Sequence, residues 1–249
     1  MIEQKNYYGS LCTELYELLH PTAPQEELDF YLSYAAPGQA ILEALCGSGR
    51  FLVPFMERGF AIEGIDLSAE MLAKLRHKAP DAKVYCCDIQ TFAPGKVYDY
   101  IFITSGSVSL FTDPAHCRDI LQRLRQLLAP NGVLVFAVDV LASRCPEDAD
   151  YQLTAQAKTP EGFDLLLKSK NHYDARTQTQ FMPGLYELYD GPRLLRKEAM
   201  DFQTHLYRFG EMEQLLAQIG FSKVTSYTGF SKQIAAGEGD EMFLFECRL

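Results

Sequence analysis

Residues 40–51 read Ala-Ile-Leu-Glu-Ala-Leu-Cys-Gly-Ser-Gly-Arg-Phe. An apolar run, Ile41 to Leu45, ends in Cys46-Gly47-Ser48-Gly49, and a helical pattern opens at Arg50. That order predicts a buried parallel strand, a glycine turn and a helix N-terminus in one segment. Glycine lets backbone approach a ligand where a Cβ would collide. The free N–H groups at a helix start favour an anionic group beside them. The segment therefore predicts an α/β fold with a small-molecule pocket built from backbone.

A dinucleotide site requires G-x-G-x-x-G, with its third glycine packing helix on strand. Here Leu52 stands at that third position, which disfavours pyrophosphate. Glu43, just before the turn, would repel a pyrophosphate and attract a cation. S-adenosylmethionine (SAM) carries a sulfonium and an ammonium and no phosphate, and it meets both conditions.

The following segments agree. Phe60 to Ile65 reads as a second strand ending at Asp66, close to the ~20-residue spacing at which a carboxylate reaches ribose hydroxyls. Ser68 is the expected N-cap of a helix opened by Met71 and Leu72. A third strand, Lys83 to Cys87, ends in Asp88-Ile89, and Cys86-Cys87 are expected in the core. A fourth, Tyr98 to Thr104, ends in Ser105-Gly106-Ser107, and a fifth, Gly132 to Val138, follows the turn Ala129-Pro130-Asn131-Gly132. Three successive strand ends thus carry Glu43, Asp66 and Asp88, and doubly wound sheets bind ligands at the carboxyl ends of their strands.

With these residues in place the chain resembles the class I SAM-dependent methyltransferases, strongly over Ala40 to about Phe136 and more weakly beyond. The family pattern at the first strand is acid-x-Gly-x-Gly-x-Gly. This chain has Glu43-Ala44-Leu45-Cys46-Gly47-Ser48-Gly49, with Leu45 at the first glycine. The resemblance implies a doubly wound, mostly parallel seven-stranded sheet, SAM as cofactor and S-adenosylhomocysteine (SAH) as product. By resemblance Asp66 holds the ribose and Leu67 packs on adenine. Asp88 accepts from the adenine amino group while the Ile89 backbone reads the ring. Ser105 lies beside the methionine moiety, Arg50 pairs with its carboxylate, and Tyr8 closes over the cofactor. Glu43, Leu45, Cys46, Gly47, Gly49 and Met71 complete the expected binding set. No catalytic residue is assigned, because methyl transfer needs chiefly positioning and the exclusion of water. His172 and His205 are candidate bases by residue type, with a structural role the alternative. The motifs of amino-directed nucleic-acid enzymes, pyrimidine-carbon enzymes and metal-dependent catechol enzymes are missing after strands four and five, and no metal is expected.

Composition narrows the class. The 249 residues are 47% hydrophobic, enough for a full core. A net charge of −10 argues against a general nucleic-acid groove. No apolar run reaches membrane-spanning length, and Met1-Ile2-Glu3-Gln4-Lys5 does not read as a signal peptide. Seven cysteines without paired spacing point to free thiols in a reducing cytoplasm.

One methyltransferase domain is expected over 1–249: a helical cap (1–37), a SAM-binding core (38–140), an inserted antiparallel sheet (141–207), and a helix with a strand hairpin (208–249). The cap reads as helices over Tyr7 to Leu19 and from Thr22 or Pro24 to Pro37-Gly38, the first with Tyr8, Leu11, Leu15 and Leu18 inward. In the insertion, period-two alternation predicts strands at 163–169, 178–189 and 195–207, with Asp190-Gly191 as a turn. The insertion would wall the acceptor pocket at the carboxyl end of the sheet or bury against a second copy, so a monomer and a homodimer both remain open. The reading is methyl transfer to an oxygen or nitrogen of a small-molecule acceptor, as in sugar N-methyltransferases and glycine N-methyltransferase. A protein or RNA methyltransferase, a non-catalytic SAM-binding module and a nicotinamide oxidoreductase are the alternatives.

Overall fold

The computed structural model describes residues 6–249. Its first half alternates strand and helix. Helices α1 (Ser10–Leu19) and α2 (Gln25–Leu32) precede β1 (Ile41–Ala44), α3 (Leu52–Glu57), β2 (Ile62–Asp66), α4 (Ala69–Lys78), β3 (Lys83–Cys86), β4 (Tyr98–Ile103), α5 (Pro114–Gln126) and β5 (Leu128–Val138). Seven short strands follow: β6 (Gln152–Lys158), β7 (Asp164–Ser169), β8 (His172–Asp174), β9 (Thr179–Phe181), β10 (Gly184–Asp190), β11 (Arg193–Met200) and β12 (Gln203–His205). The chain closes with α6 (Glu211–Ile219), β13 (Lys223–Tyr227) and β14 (Phe243–Arg248).

The main sheet has the order β13-β14-β5-β4-β1-β2-β3. Strands β1 to β5 are mutually parallel, and β14 runs antiparallel to both β5 and β13. Both faces are covered, so central strands carry apolar residues at every position instead of alternating. In β4, Ile101 and Ile103 pack toward α5 and α6 with Leu121, Leu124, Met212 and Leu216. Tyr100 and Phe102 point the other way, among Tyr31 of α2, Phe55 of α3 and Leu72 of α4. The order reverses between β1 and β4, and ligands of open α/β sheets bind at such a point.

The inserted antiparallel region divides into a four-stranded sheet, β11-β10-β7-β6, and a three-stranded one, β12-β9-β8. The stretches 178–189 and 195–207, each expected as one strand, are each broken, at Met182-Pro183 and at Asp201-Phe202. Proline has no N–H for a ladder, which explains the first break. The strand β6 is mostly exposed, and its alternation runs through small residues, Ala155 and Ala157, too weak an apolar signal to mark it as a strand. Asp190 and Gly191 make the turn of the β10–β11 hairpin as expected. Helix α1 covers the four-stranded sheet, with Leu11 and Leu15 against Leu165, Tyr186, Leu188 and Met200.

Other boundaries differ for local reasons. The helix expected from Arg50 begins at Leu52, because Gly49 at φ +80° keeps the chain out of helical geometry. Cys86 is exposed and Cys87 half-buried, contrary to the core placement expected. Cys86 ends β3, the last strand of the sheet, which is largely exposed, and Cys87 follows it. Leu128 to Gly132 belongs to β5, but its register with β4 jumps from Tyr98–Leu128 to Tyr100–Val133, so the anticipated turn survives as a bulge.

Candidate functional site

A cavity of about 380 Å³ opens at the carboxyl ends of β1, β2 and β4, within the range of small-molecule sites. Of the sequence-predicted residues, Tyr8, Glu43, Leu45, Cys46, Gly47, Arg50, Asp66, Leu67, Met71, Asp88 and Ser105 line it. Gly49 and Ile89 do not: Gly49 lies against Leu75 of α4, and Ile89 is buried in the core on the α5 side.

The floor is acidic and tightly bonded. Asp66 Oδ2 accepts from the Gly47 N–H at 2.8 Å and Oδ1 from the Ser68 N–H at 2.8 Å. One carboxylate therefore joins the glycine loop to the start of α4. Burial raises its pKa, and these backbone donors work in the opposite direction. Ser68 caps α4 by accepting from Met71 N–H at 3.0 Å, and its hydroxyl donates to the Tyr8 carbonyl at 2.7 Å. The N-terminal segment is thereby drawn over the cavity. Asn6 extends the strap: its amide donates to the Leu110 and Gln203 carbonyls, each at 2.9 Å.

Glu43 is 1% exposed, and its Oε2 has no hydrogen-bond partner. Burial holds its pKa well above the ordinary value, although the Arg50 guanidinium favours the charged form. A buried carboxylate oxygen without a donor is costly. On a cavity wall it marks a position for an incoming cation or N–H donor. Leu45 takes φ +58° at the position where the family pattern has its first glycine, so the left-handed turn is kept without one.

Several lining or supporting residues escaped the sequence reading, Asn6 among them. Glu27 of α2, 7% exposed, accepts from the Ser105 N–H at 2.9 Å and from its hydroxyl at 3.4 Å. It holds Ser105 at φ +56°, an unfavourable conformation for a serine. Burial raises the Glu27 pKa, with the Ser105 bonds and Arg50 opposing. Arg50 donates to Ser105 Oγ at 2.5 Å and lies 5.5 Å from the centre of the Tyr16 ring. Tyr16 and His116 also line the cavity. The signal for Glu27 was an acid at i, i+4 with the inward-facing Tyr31; His116 had none.

The two histidines singled out by type lie elsewhere. His172 is exposed and 3.1 Å from Glu147, while His205 is buried and 3.1 Å from Glu211. Among the described residues no metal-binding cluster occurs and no helix is long and apolar enough to cross a membrane.

Comparisons with known proteins agree with this geometry. Residues 41–132 match the methyltransferase domain family. A Streptomyces fradiae protein named dTDP-3-amino-3,6-dideoxy-alpha-D-glucopyranose N,N-dimethyltransferase is 28% identical over 139 residues, 53% of this chain and 54% of the relative. The trans-aconitate 2-methyltransferase of Acidovorax sp. (strain JS42) is 34% identical over 115 residues, 45% of this chain and 43% of that one. The chain thus spans about half the length of the curated relatives it matches. In fold it is similar to the sugar N-methyltransferase KedS8 of Streptoalloteichus sp. ATCC 53650, with TM-score 0.74 at 18% identity over 100% of this chain and 99% of that one. Strand order, strand-end acids and the matched segment converge: residues 41–132 carry a methyltransferase domain, and the chain has the fold of SAM-dependent methyltransferases.

Proposed function

We propose that the protein transfers the methyl group of SAM to a nitrogen or oxygen atom of a small molecule. The observation that carries this reading is the partnerless, buried Oε2 of Glu43 on the wall of a cavity lined also by Asp66 and Asp88. Three strand-end acids with one guanidinium, Arg50, suit a ligand with cationic and hydroxyl groups and a single carboxylate. Glu43 would face the ammonium and Arg50 the carboxylate of the methionine moiety. Asp66, held in place by its two backbone donors, keeps acceptor capacity for ribose hydroxyls. Leu67, 41% exposed, offers an apolar surface to adenine, and Asp88 stands beside it at the end of β3.

SAM, when bound, supplies an electrophilic methyl on a sulfonium. The chain's part is to hold the acceptor atom in line at about 3–3.5 Å and to keep water out. Tyr8, tied to Ser68, and the strap at Asn6 would provide the exclusion, and the inserted sheet would wall the acceptor side. The relatives named above carry small-molecule methylation in their names, which supports this class of acceptor. Free thiols at all seven cysteines fit work in a reducing cytoplasm, as a monomer or a homodimer.

Calorimetry with SAH and NAD tests the donor site. SAH is expected to bind in the micromolar range and NAD not measurably; NAD binding tighter than SAH would overturn the proposal.

A further inference from the structure

A second cavity, about 270 Å³, lies between α1 and the four-stranded inserted sheet. Cys12 and Leu15 face it from α1, and Leu167, Tyr186 and Met200 from the sheet. Tyr8 and Tyr16 line both this cavity and the donor cavity, their rings edge to face at 6.0 Å. Among the described residues, no other side chain lines both spaces. Among the described residues, no Lys, Arg, Asp or Glu lines the second cavity, and its only imidazole is His20 at the open end.

The donor cavity offers no cation to spare. Arg50 is engaged by Ser105 and lies near Glu43 and Glu27, while Glu43, Asp66, Asp88 and Asp113 make the wall acidic. Phosphate recognition uses Arg or Lys forks or a row of backbone N–H donors. Among the described residues, neither Arg nor Lys lines the second cavity. Polyanionic acceptors would meet carboxylates on the one side and desolvation without compensation on the other. Ring-bearing apolar molecules meet the reverse: sulfur and aromatic surfaces from Cys12, Met200 and Tyr186, with Ser169 among the lining residues. An apolar cavity of about 150 Å³ takes one benzene ring; this one, at about 270 Å³, is larger by more than half.

We propose that the acceptor is an uncharged, apolar, ring-bearing molecule held between α1 and the inserted sheet, presenting a hydroxyl or amine past Tyr8 and Tyr16, and that phosphate-bearing acceptors such as nucleotide-linked sugars are excluded. This rests on the methyl-transfer reading and deepens it by naming the acceptor class.

The test uses the full chain saturated with SAH, and N-phenyl-1-naphthylamine as fluorescent probe. Met182, which lines the cavity, is replaced by Trp to fill it, and Leu19, a lining residue that is 42% exposed, by Glu to charge it without burdening the fold. Micromolar probe binding is expected, weakened tenfold or more by Met182→Trp and several-fold by Leu19→Glu, with SAH affinity within twofold of the parent. Millimolar thymidine diphosphate should not displace the probe. Absent probe binding, equal binding by both variants, or displacement by thymidine diphosphate would each overturn the acceptor class. Failure of SAH to bind the parent chain would instead count against the donor site, and the probe result would still judge the cavity.

Discussion

The carboxylate of Glu198, on β11, accepts a 3.0 Å hydrogen bond from the backbone N–H of Leu11, in the first turn of α1. Its other oxygen accepts from Cys12 N–H at 3.1 Å. The N-cap of this helix is Gly9, which has no side chain to offer, and a Cβ there would come within 2.6 Å of Glu198 Oε1. An acid from the inserted sheet therefore supplies the cap, and its charge complements the positive end of the helix.

Glu198→Ala should lower stability by about 1–2 kcal/mol, the scale of a lost cap. The effect should concentrate in α1. Hydrogen exchange is expected to quicken at residues 10–14 ahead of the main sheet, and SAH affinity to fall a few-fold because α1 carries Tyr16. Uniform acceleration across the sheet would contradict this.

Asp66→Ala removes both the proposed ribose contact and the tie between Gly47 and Ser68. Hydrogen bonds to a charged group contribute about 1.5–3 kcal/mol, so SAH affinity should fall roughly tenfold to a hundredfold. The melting temperature should fall as well, since two backbone donors lose their acceptor. Calorimetry and thermal denaturation read the two effects; an unchanged SAH affinity in a folded variant would remove Asp66 from the site.

The two glycines of the loop should separate on substitution. A Cβ on Gly49 would stand 2.7 Å from Leu75 Cγ, at φ +80°, whereas on Gly47 the nearest atom is Met71 Sδ at 4.0 Å, at φ +52°. Gly49→Ala should cost stability by about 1–3 kcal/mol, as overpacking does. Gly47→Ala should cost about 1–2 kcal/mol from the left-handed conformation alone, and should weaken SAH binding through the new methyl at the cavity wall. Chemical denaturation with SAH titration distinguishes them.

Asp139, just past β5, has its pKa raised by burial from 3.8 to about 6, with a hydrogen bond from Thr204 opposing. The folded state therefore binds its proton more tightly than the unfolded state. Stability from this group is complete below pH 4, declines as pH rises toward 6, and stays reduced above. Asp139→Asn should raise stability at pH 7.5 by at most about 3 kcal/mol, and by much less at pH 4. Melting temperatures that differ equally at both pH values would contradict the titration.

The glycine loop, the strand-end acids and the hairpin at Asp190-Gly191 were legible because each depends on neighbours in sequence. Apolar runs ending in Glu43, Asp66 and Asp88 place acids at strand ends whatever the rest of the chain does. Glu27 and Ser105 were harder, since they meet only once α2 packs across β4. The exposed Cys86 shows the limit of local patterning: the run Val84-Tyr85-Cys86-Cys87 reads as core, and only the position of β3 at the end of the strand order leaves it uncovered. Likewise β6 offers only Ala155 and Ala157 to the core, and its pairing with β7 supplies the rest of what holds it.

At the base of the insertion, the Tyr207 N–H donates to the Asp139 carbonyl at 2.9 Å, and the Leu141 N–H to the Tyr207 carbonyl at 3.0 Å. The chain leaves and re-enters the main sheet through one neck. Topologically, then, residues 141–207 are a single decorated turn between β5 and α6, free to change length and sequence without disturbing the register of any core strand. A lineage could exchange this unit for another only if the newcomer also capped α1 and anchored Asn6, as Glu198 and Gln203 do now, so the history of what such an enzyme accepts is bound at these two points to the history of what it binds as donor.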